Sequence, residues 1–179
     1  MHLTLPNLDL GASLIEALDE GFAFGEGKPK TALEIAAIEA GLAPYLALLN
    51  AQGGTVTLPS GAEVERVPYS QLWLTDGTAF LGIFNIRYRL SPRMRFRGGH
   101  VGYAIRPSRQ GRGLATAGLK LMLEHARAAG IGRVIVTCAD TNLASAKVIE
   151  RNGGQLDAVL PDPEQGGLFR RYSISSARP

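Results

Sequence analysis

The sequence contains one cysteine and three histidines among its 179 residues. A single thiol excludes an internal disulfide framework and any cysteine-based zinc cluster. The histidines, His2, His100 and His125, are too scattered for a metal-ligand spacing, so no metal is expected. No apolar run reaches the roughly 18 residues of a membrane span. The opening stretch, MHLTLPNLDLGASLIEALDE, has neither the basic nor the apolar region of a secretory signal. Hydrophobic residues at 45% and charged residues at 20% describe an ordinary globular chain that can bury its own core. Its length suits one domain over residues 1–179. The default expectation is a cytoplasmic monomer or small oligomer, a homodimer included, without a membrane partner.

Acidic residues are missing altogether between positions 77 and 123, where eight arginines and Lys120 give a balance of +9. The arginines are Arg87, Arg89, Arg93, Arg95, Arg97, Arg106, Arg109 and Arg112. Residues 1–65 are the opposite, with Lys28 and Lys30 against nine acids, a balance of −7. A one-signed block attracts an anionic partner such as a phosphorylated cofactor, an acidic substrate or a nucleic acid. The plainer alternative is arginines scattered over the surface.

The first third reads as helical. Ser13 with Glu16 has the spacing of a capping box over Leu14, Ile15, Ala17 and Leu18. The stretch from Gly25 to Lys30 breaks the chain, and a second helical pattern runs from Thr31 with interruptions near Gly41 and Pro44. Residues 52–61 suit a loop or weak hairpin. From Val64 the hydrophobic period becomes two. SQLWLT and TAFLGIFNIRY flank Asp76-Gly77, a two-residue hairpin signal. A Pro- and Arg-rich connection, Ser91 to Gly99, leads to the strand His100–Arg106. A helix follows from about Gly111 to Ala129, stopped at Gly130. Arg133 to Cys138 reads as a strand buried on both faces. Asn142 to Asn152 reads as a short helix, and Gln155–Leu160 and Leu168–Ile174 as two closing strands.

Chemistry concentrates where the strand ending in Arg106 passes through Pro107-Ser108-Arg109 into QGRGLA, which opens a helix. A helix start has backbone N–H groups without intrahelical partners and carries partial positive charge. Glycines there let an anionic phosphate approach the backbone closely. A P-loop is excluded because Leu114-Ala115, and not Lys-Ser/Thr, follows Gly113. The dinucleotide fingerprint fails too, since its third small residue is Thr116, although Asp140 imitates the ribose acid. The structural alternative is a glycine pair that merely allows two backbones to pack.

QGRGLA resembles the acyl-CoA signature of the GNAT N-acetyltransferase superfamily, Q/R-x-x-G-x-G/A, at Gln110, Gly113 and Ala115. YAIRP resembles that family's central strand, and Asn142 to Ser145 its N-x-x-S/A element. VIERNGG resembles the helix that precedes its final strand pair. The likeness covers about Phe80 to Tyr172. In detail it resembles a branch of uncharacterised predicted acetyltransferases with GGHxGYxxRPS and TCxxxNxxS, here Gly98 to Ser108 and Thr137 to Ser145.

The resemblance implies an α+β GNAT-like fold, a mixed splayed central sheet flanked by helices. Residues 1–65 would be the mainly helical acceptor side and 66–179 the acetyl-CoA-binding core. It implies that the backbone of Ala104, Ile105 and Arg106 pairs with pantetheine amides. Gln110, Gly111, Arg112, Gly113, Leu114, Ala115 and Thr116 would hold the pyrophosphate, with Asn142 and Ser145 near the pantetheine arm. Asn142 also suits a helix N-cap. The activity implied is transfer of acetyl from acetyl-CoA to an amine of a small molecule or peptide by direct attack. The acidic first third would suit a cationic acceptor.

One position departs from the family. Many members carry a tyrosine general acid where this chain has Ile149. The proton-transfer candidates on the right elements are His100, Tyr103, Asp140 and Tyr172; of these His100, Asp140 and Tyr172 are expected to be catalytic, His100 because an unperturbed imidazole titrates near pH ~6.5. Cys138 inside VIVTC is expected as a buried small hydrophobe, and His125 as a packed helix residue. Two other classes compete. A non-catalytic acyl-CoA sensor is compatible with Ile149. A nucleic-acid binder would use the arginine block, but the sequence shows no helix-turn-helix or zinc module.

Overall fold

The computed structural model describes residues 1–24, 27–51, 54–57, 61 and 63–176. The first part contains β1 (His2–Thr4), α1 (Gly11–Asp19), α2 (Ala32–Ala40) and α3 (Leu42–Asn50), then the small hairpin β2 (Thr55–Thr57) and β3 (Glu63–Glu65). There follow β4 (Tyr69–Thr75), β5 (Phe80–Arg87), α4 (Pro92–Phe96), β6 (Val101–Ile105) and α5 (Leu114–Ala128). The chain ends through β7 (Arg133–Ala139), α6 (Leu143–Arg151), β8 (Gln155–Pro161) and β9 (Leu168–Ser175).

The strands form two main sheets, β1-β4-β5-β6 and β7-β9-β8, whose ladders are all antiparallel. The expected central sheet is therefore divided. Its halves meet where Gly99 bridges Val136 and the His100 amide donates to the Ile135 carbonyl at 2.7 Å. Beyond that point β6 and β7 form no ladder, and the splay between them opens the functional region. The α+β architecture matches the expectation from sequence.

Two hydrophobic clusters hold the halves in place. One joins Phe84, Ile86 and Val101 to Leu119 and Met122 of α5, Ile149 of α6 and Tyr172 of β9. The other seats Leu14, Leu18 and Leu46 on Trp73, Phe80 and Ile83. The period-two pattern of β5 explains the division: Phe84 and Ile86 face one layer and Ile83 the other. β1 pairs with β4, so the first residues belong to the same sheet as the core strands.

Four local expectations change. Ser13 lies inside α1, because Asn7 caps an earlier turn by accepting from the Leu10 amide at 3.3 Å. Its hydroxyl instead accepts from the Phe80 amide at 3.0 Å. The capping box is found at Thr31 and Glu34, where α2 begins. The β4–β5 loop is four residues, Asp76 to Ala79, since the Asp76 carboxylate accepts from the amides of both Thr78 and Ala79. The Arg-rich connection contains α4, capped by Ser91. β7 alternates buried and less buried residues, because one of its faces borders the splay. The break at Gly25 and Glu26, and most of the tip near 52–62, lie outside the described residues. No single helix among those described is long and apolar enough to cross a membrane.

Candidate functional site

The register of β5 and β6 decides which backbone groups face the splay. The Arg87 amide donates to the His100 carbonyl at 2.8 Å, and the Arg106 amide to the Leu81 carbonyl at 3.0 Å. In an antiparallel pair the bonded positions alternate, so even-numbered residues of β6 are committed to β5. The amides of Tyr103 and Ile105 therefore point towards β7. Gln110 reaches back to cap the Ile105 carbonyl, Nε2 to oxygen at 3.1 Å.

β6 runs into a cradle. Gly111 and Gly113 have φ values of +74° and +76°, left-handed backbone that favours glycine. A Cβ at either would meet nothing within 4 Å, so the turn is open in front. Gly113 is the N-cap of α5 and supplies no side-chain cap. The first amides of the helix are thus left for an external acceptor. Arg109 lies beside them with a buried Nε that has no partner.

This cradle is one end of a cavity of 690 Å³. Of the residues expected to hold a cofactor, Ala104, Ile105, Gln110, Gly111, Gly113, Leu114, Ala115, Thr116, Asn142 and Ser145 line it. Arg112 and Arg106 do not. Arg106 is 6% exposed, and its side chain points away into the acidic helix α1. Its Nε donates to Glu20 at 2.8 Å, one terminal nitrogen to Glu16 at 2.9 Å and the other to the Ser13 hydroxyl at 2.9 Å. The Arg106 side chain and main-chain amide are both spent on the fold, which corrects its assignment to the cofactor. The same contacts engage Glu16 and Glu20, two of the acids expected to face a cationic acceptor. The guanidinium holds the Glu20 carboxyl down at about 2.

Sequence reasoning missed the opposite wall. Gly21, Phe22 and Ala23, after α1, line the cavity, as do Lys147 and Arg151 of α6. Lys147 and Arg151 stand four apart on one helical face, a spacing visible in the sequence. The first three carry no motif.

A second cavity of 460 Å³ adjoins the first, and Tyr103, Asn142 and Ser145 line both. At this junction Tyr103 and Ser145 share a hydroxyl–hydroxyl hydrogen bond of 2.8 Å. Asn142 caps α6, accepting from the Ser145 amide at 3.0 Å. Burial pushes the Tyr103 phenol up to about 12. Cys138 is buried on the second cavity's wall, and burial raises its thiol above the ordinary value, the opposite of the shift that activates a thiolate.

Asp140 and Tyr172 share Arg170 as a partner while His100 stands apart, and none of the three lines either cavity. His100 Nδ1 accepts from the Ile135 amide at 2.9 Å, stitching the two sheets. Burial, then Arg95 and Arg87, hold its pKa below the usual imidazole value. Asp140 pairs with Arg170 at 2.7 Å. Tyr172 is fully buried and donates to Glu150 at 2.9 Å. Ile149 is core, and His125 is a packed partner of Tyr88 at 3.0 Å. Among the described residues no group of three or more histidine, cysteine or acidic side chains is placed to hold a metal.

Residues 60–155 match the family model described as the acetyltransferase (GNAT) domain. No curated protein matches the sequence. Solved structures do. RimJ of Mycobacterium smegmatis, in complex with CoA-disulfide, is 17% identical with a TM-score of 0.65, over 97% of this chain and 80% of that one. The microcin C7 self-immunity acetyltransferase MccE, in complex with acetyl-CoA and AMP, is 14% identical with a TM-score of 0.62, over 97% and 91%. RimL, a ribosomal L7/L12 alpha-N-protein acetyltransferase in complex with coenzyme A, is 16% identical with a TM-score of 0.61, over 99% and 97%. At these identities the likeness is one of fold.

Proposed function

Because this chain belongs to the GNAT acetyltransferase family, as the match over residues 60–155 establishes, we propose that it transfers an acetyl group from acetyl-CoA to an amine by direct attack. The observation that carries this reading is the uncapped start of α5 behind two left-handed glycines, open to a cavity that also contains the free amides of β6. The fit is chemical as well as spatial. Unpartnered helix amides, the orphaned Arg109 Nε, Lys147 and Arg151 suit a pyrophosphate and its neighbouring phosphates. The outward amides of Tyr103 and Ile105 suit an extended arm with its own amide groups, which would add to the sheet edge like a strand. We take residues 1–179 as one such domain, with 1–65 covering the acceptor side and 66–179 binding acetyl-CoA.

Acetyl-CoA supplies the thioester whose carbonyl carbon the acceptor attacks. The amine nitrogen bonds to that carbon, the carbon–sulfur bond breaks, and the nitrogen's proton leaves to solvent. The chain's first contribution is alignment of the two reactants at the junction of the cavities. The Tyr103 amide, fixed by the strand, is the donor for the oxygen that gains charge. The Tyr103 hydroxyl, steered by Ser145, donates to the departing sulfur in place of the tyrosine that Ile149 replaces. With the phenol at about 12 and a thiol near ~8.5, it stabilises the thiolate by hydrogen bonding and leaves net protonation to water.

The arginine block does not favour a nucleic acid. Arg106 is buried against Glu16 and Glu20, and Arg93 and Arg97 pair with Glu164 and Asp162. Titration with acetyl-CoA by calorimetry, followed by thiol release with an amine panel, tests the reading. Saturable binding with amine-dependent thiol release supports it. Binding without turnover on any amine would instead identify an acyl-CoA sensor, and no binding would refute the cradle.

A further inference from the structure

The second cavity has its own electrostatic pattern. Three arginines line it, Arg87 from β5 and Arg93 and Arg97 from and just after α4. Arg93 makes a two-pronged pair with Glu164, both contacts 2.7 Å. Arg97 Nε donates to Asp162 at 2.6 Å. Arg87 differs. One terminal nitrogen donates to the Gly99 carbonyl at 3.1 Å, and the side chain forms no ion pair with a described carboxylate. A guanidinium has five N–H donors, and this one is half-buried with no described carboxylate paired to it. A partly desolvated cation is costly unless an anion joins it.

Arg87 shares a sheet face with Asn85, which also lines the cavity and accepts from the Gly102 amide at 3.0 Å. The register pairs Phe84 with Tyr103, so Arg87 lies three residues further along the sheet and its side chain leaves on the face opposite the Tyr103 ring; the two come together at the open sheet edge, where both line this cavity. Three residues of strand span about 10 Å. Phe24 and Phe169 close the sides, and 460 Å³ admits a small molecule and not a folded chain surface.

Resting on the acetyltransfer reading, we propose that the acceptor is a small amine that also bears a carboxylate, bound by Arg87 while the amine faces Tyr103. The span between the two ends favours an amine and carboxylate separated by several bonds, as in a dipeptide or an ω-amino acid. The unmatched cation thereby gains a two-pronged partner of the kind guanidinium recognises best. A purely cationic acceptor would meet Arg87 at like charge.

The test uses the full chain and matched pairs of amines: glycylglycine against glycylglycinamide, γ-aminobutyrate against its amide, and glycine against glycinamide. Acetyl-CoA affinity is measured alongside by calorimetry. The expected result is that kcat/KM for glycylglycine or γ-aminobutyrate exceeds that for its amide by at least about tenfold, the scale of one charge-assisted contact. Arg87→Gln should erase the difference through KM, Arg87→Lys should keep part of it, and both should bind acetyl-CoA like the wild type. Equal use of acids and amides, no use of the acids, or a preference unmoved in Arg87→Gln overturns the proposal while acetyl-CoA binding leaves the acetyltransfer reading standing. Failure of the wild type to bind acetyl-CoA removes that reading and this proposal with it.

Discussion

Tyr103 of β6 and Ser145 of α6 share a hydrogen bond of 2.8 Å at the point where the two cavities meet. The bond crosses the splay between the sheets. It fixes the phenol against the helix start that Asn142 caps, and it stacks the Tyr103 ring on Phe84 at 5.5 Å between centroids. Tyr103→Phe keeps the ring and its stacking but removes the donor to sulfur. We expect kcat to fall by about tenfold, less than the ~100- to 10,000-fold of a full general acid, because the phenol only hydrogen-bonds the departing thiolate. Acetyl-CoA affinity should stay within about threefold, since the amide of residue 103 remains. Ser145→Ala should show a smaller loss of kcat. Steady-state kinetics of both variants check this, and an unchanged kcat in Tyr103→Phe would leave the sulfur to solvent alone.

Gly113 offers the most direct check of the cradle. A glutamate there forces a side chain into left-handed backbone, at about 1–2 kcal/mol, and aims a carboxylate at the phosphate site. Space in front of the residue is open, so the fold should survive. Calorimetry should show acetyl-CoA affinity lowered at least about 100-fold, more than 2.7 kcal/mol. Circular dichroism should be unchanged. A folded variant with wild-type affinity would place the phosphates elsewhere.

The element order and the cradle were legible because both depend on local rules. Glycines before an apolar-striped helix, a strand broken by Pro107 and a cap at Asn142 each act within a few residues. What was not legible depended on distant partners. Nothing near Arg106 in sequence announces Glu16 and Glu20, some 86 to 90 residues earlier. Ser13 looked like a cap because the rule is local, whereas its partners are Phe80 and Arg106. His100 has a suitable intrinsic pKa, yet the fold engages its Nδ1 with Ile135. Charge and pKa are properties of residues; who neutralises them is a property of the fold.

The Arg106 cluster should behave as a structural ion group. Arg106 is the enclosed member, its side chain 7% exposed against 66% for Glu16 and 26% for Glu20, so Arg106→Ala should lower the denaturation midpoint but cost less than the about 3–5 kcal/mol of a fully buried pair. Glu20 adds an acid dependence. Its folded pKa, about 2, lies below the ordinary glutamate value of 4.5. The stability it contributes is complete above pH 4.5 and is lost as pH falls towards 2. Urea unfolding from pH 6 to 3 should show this slope in the wild type and less of it in Glu20→Gln.

His100 should affect stability more than chemistry. Its folded pKa is lowered by burial, then by Arg95 and Arg87, so folding favours the neutral ring. The stability this provides is present above the unfolded value near ~6.5 and is lost as pH falls below it. Thermal melts from pH 7.5 to 5 should lose more Tm in the wild type than in His100→Gln, whose amide oxygen can still accept from Ile135. If His100→Gln instead lowered kcat/KM by about tenfold with an unchanged melt, the imidazole would be acting on the reaction.

The pH–rate profile discriminates between an enzyme-borne base and simple alignment. The ionisable side chains lining the cavities, among the described residues, are Tyr103, Cys138, Glu164, Lys147 and arginines. Tyr103 stands at about 12, Cys138 is raised by burial, and Glu164 is engaged by Arg93. No histidine lines either cavity among the described residues, and the one lining carboxylate is held by an arginine. The acceptor must then arrive deprotonated, and its reactive fraction rises about tenfold per pH unit below its own pKa. The ascending limb of kcat/KM should therefore belong to the acceptor. Two acceptors whose amines differ by about two pKa units should give limbs displaced by about two units, measured between pH 6 and 10. A midpoint common to both acceptors would instead assign the limb to a protein group.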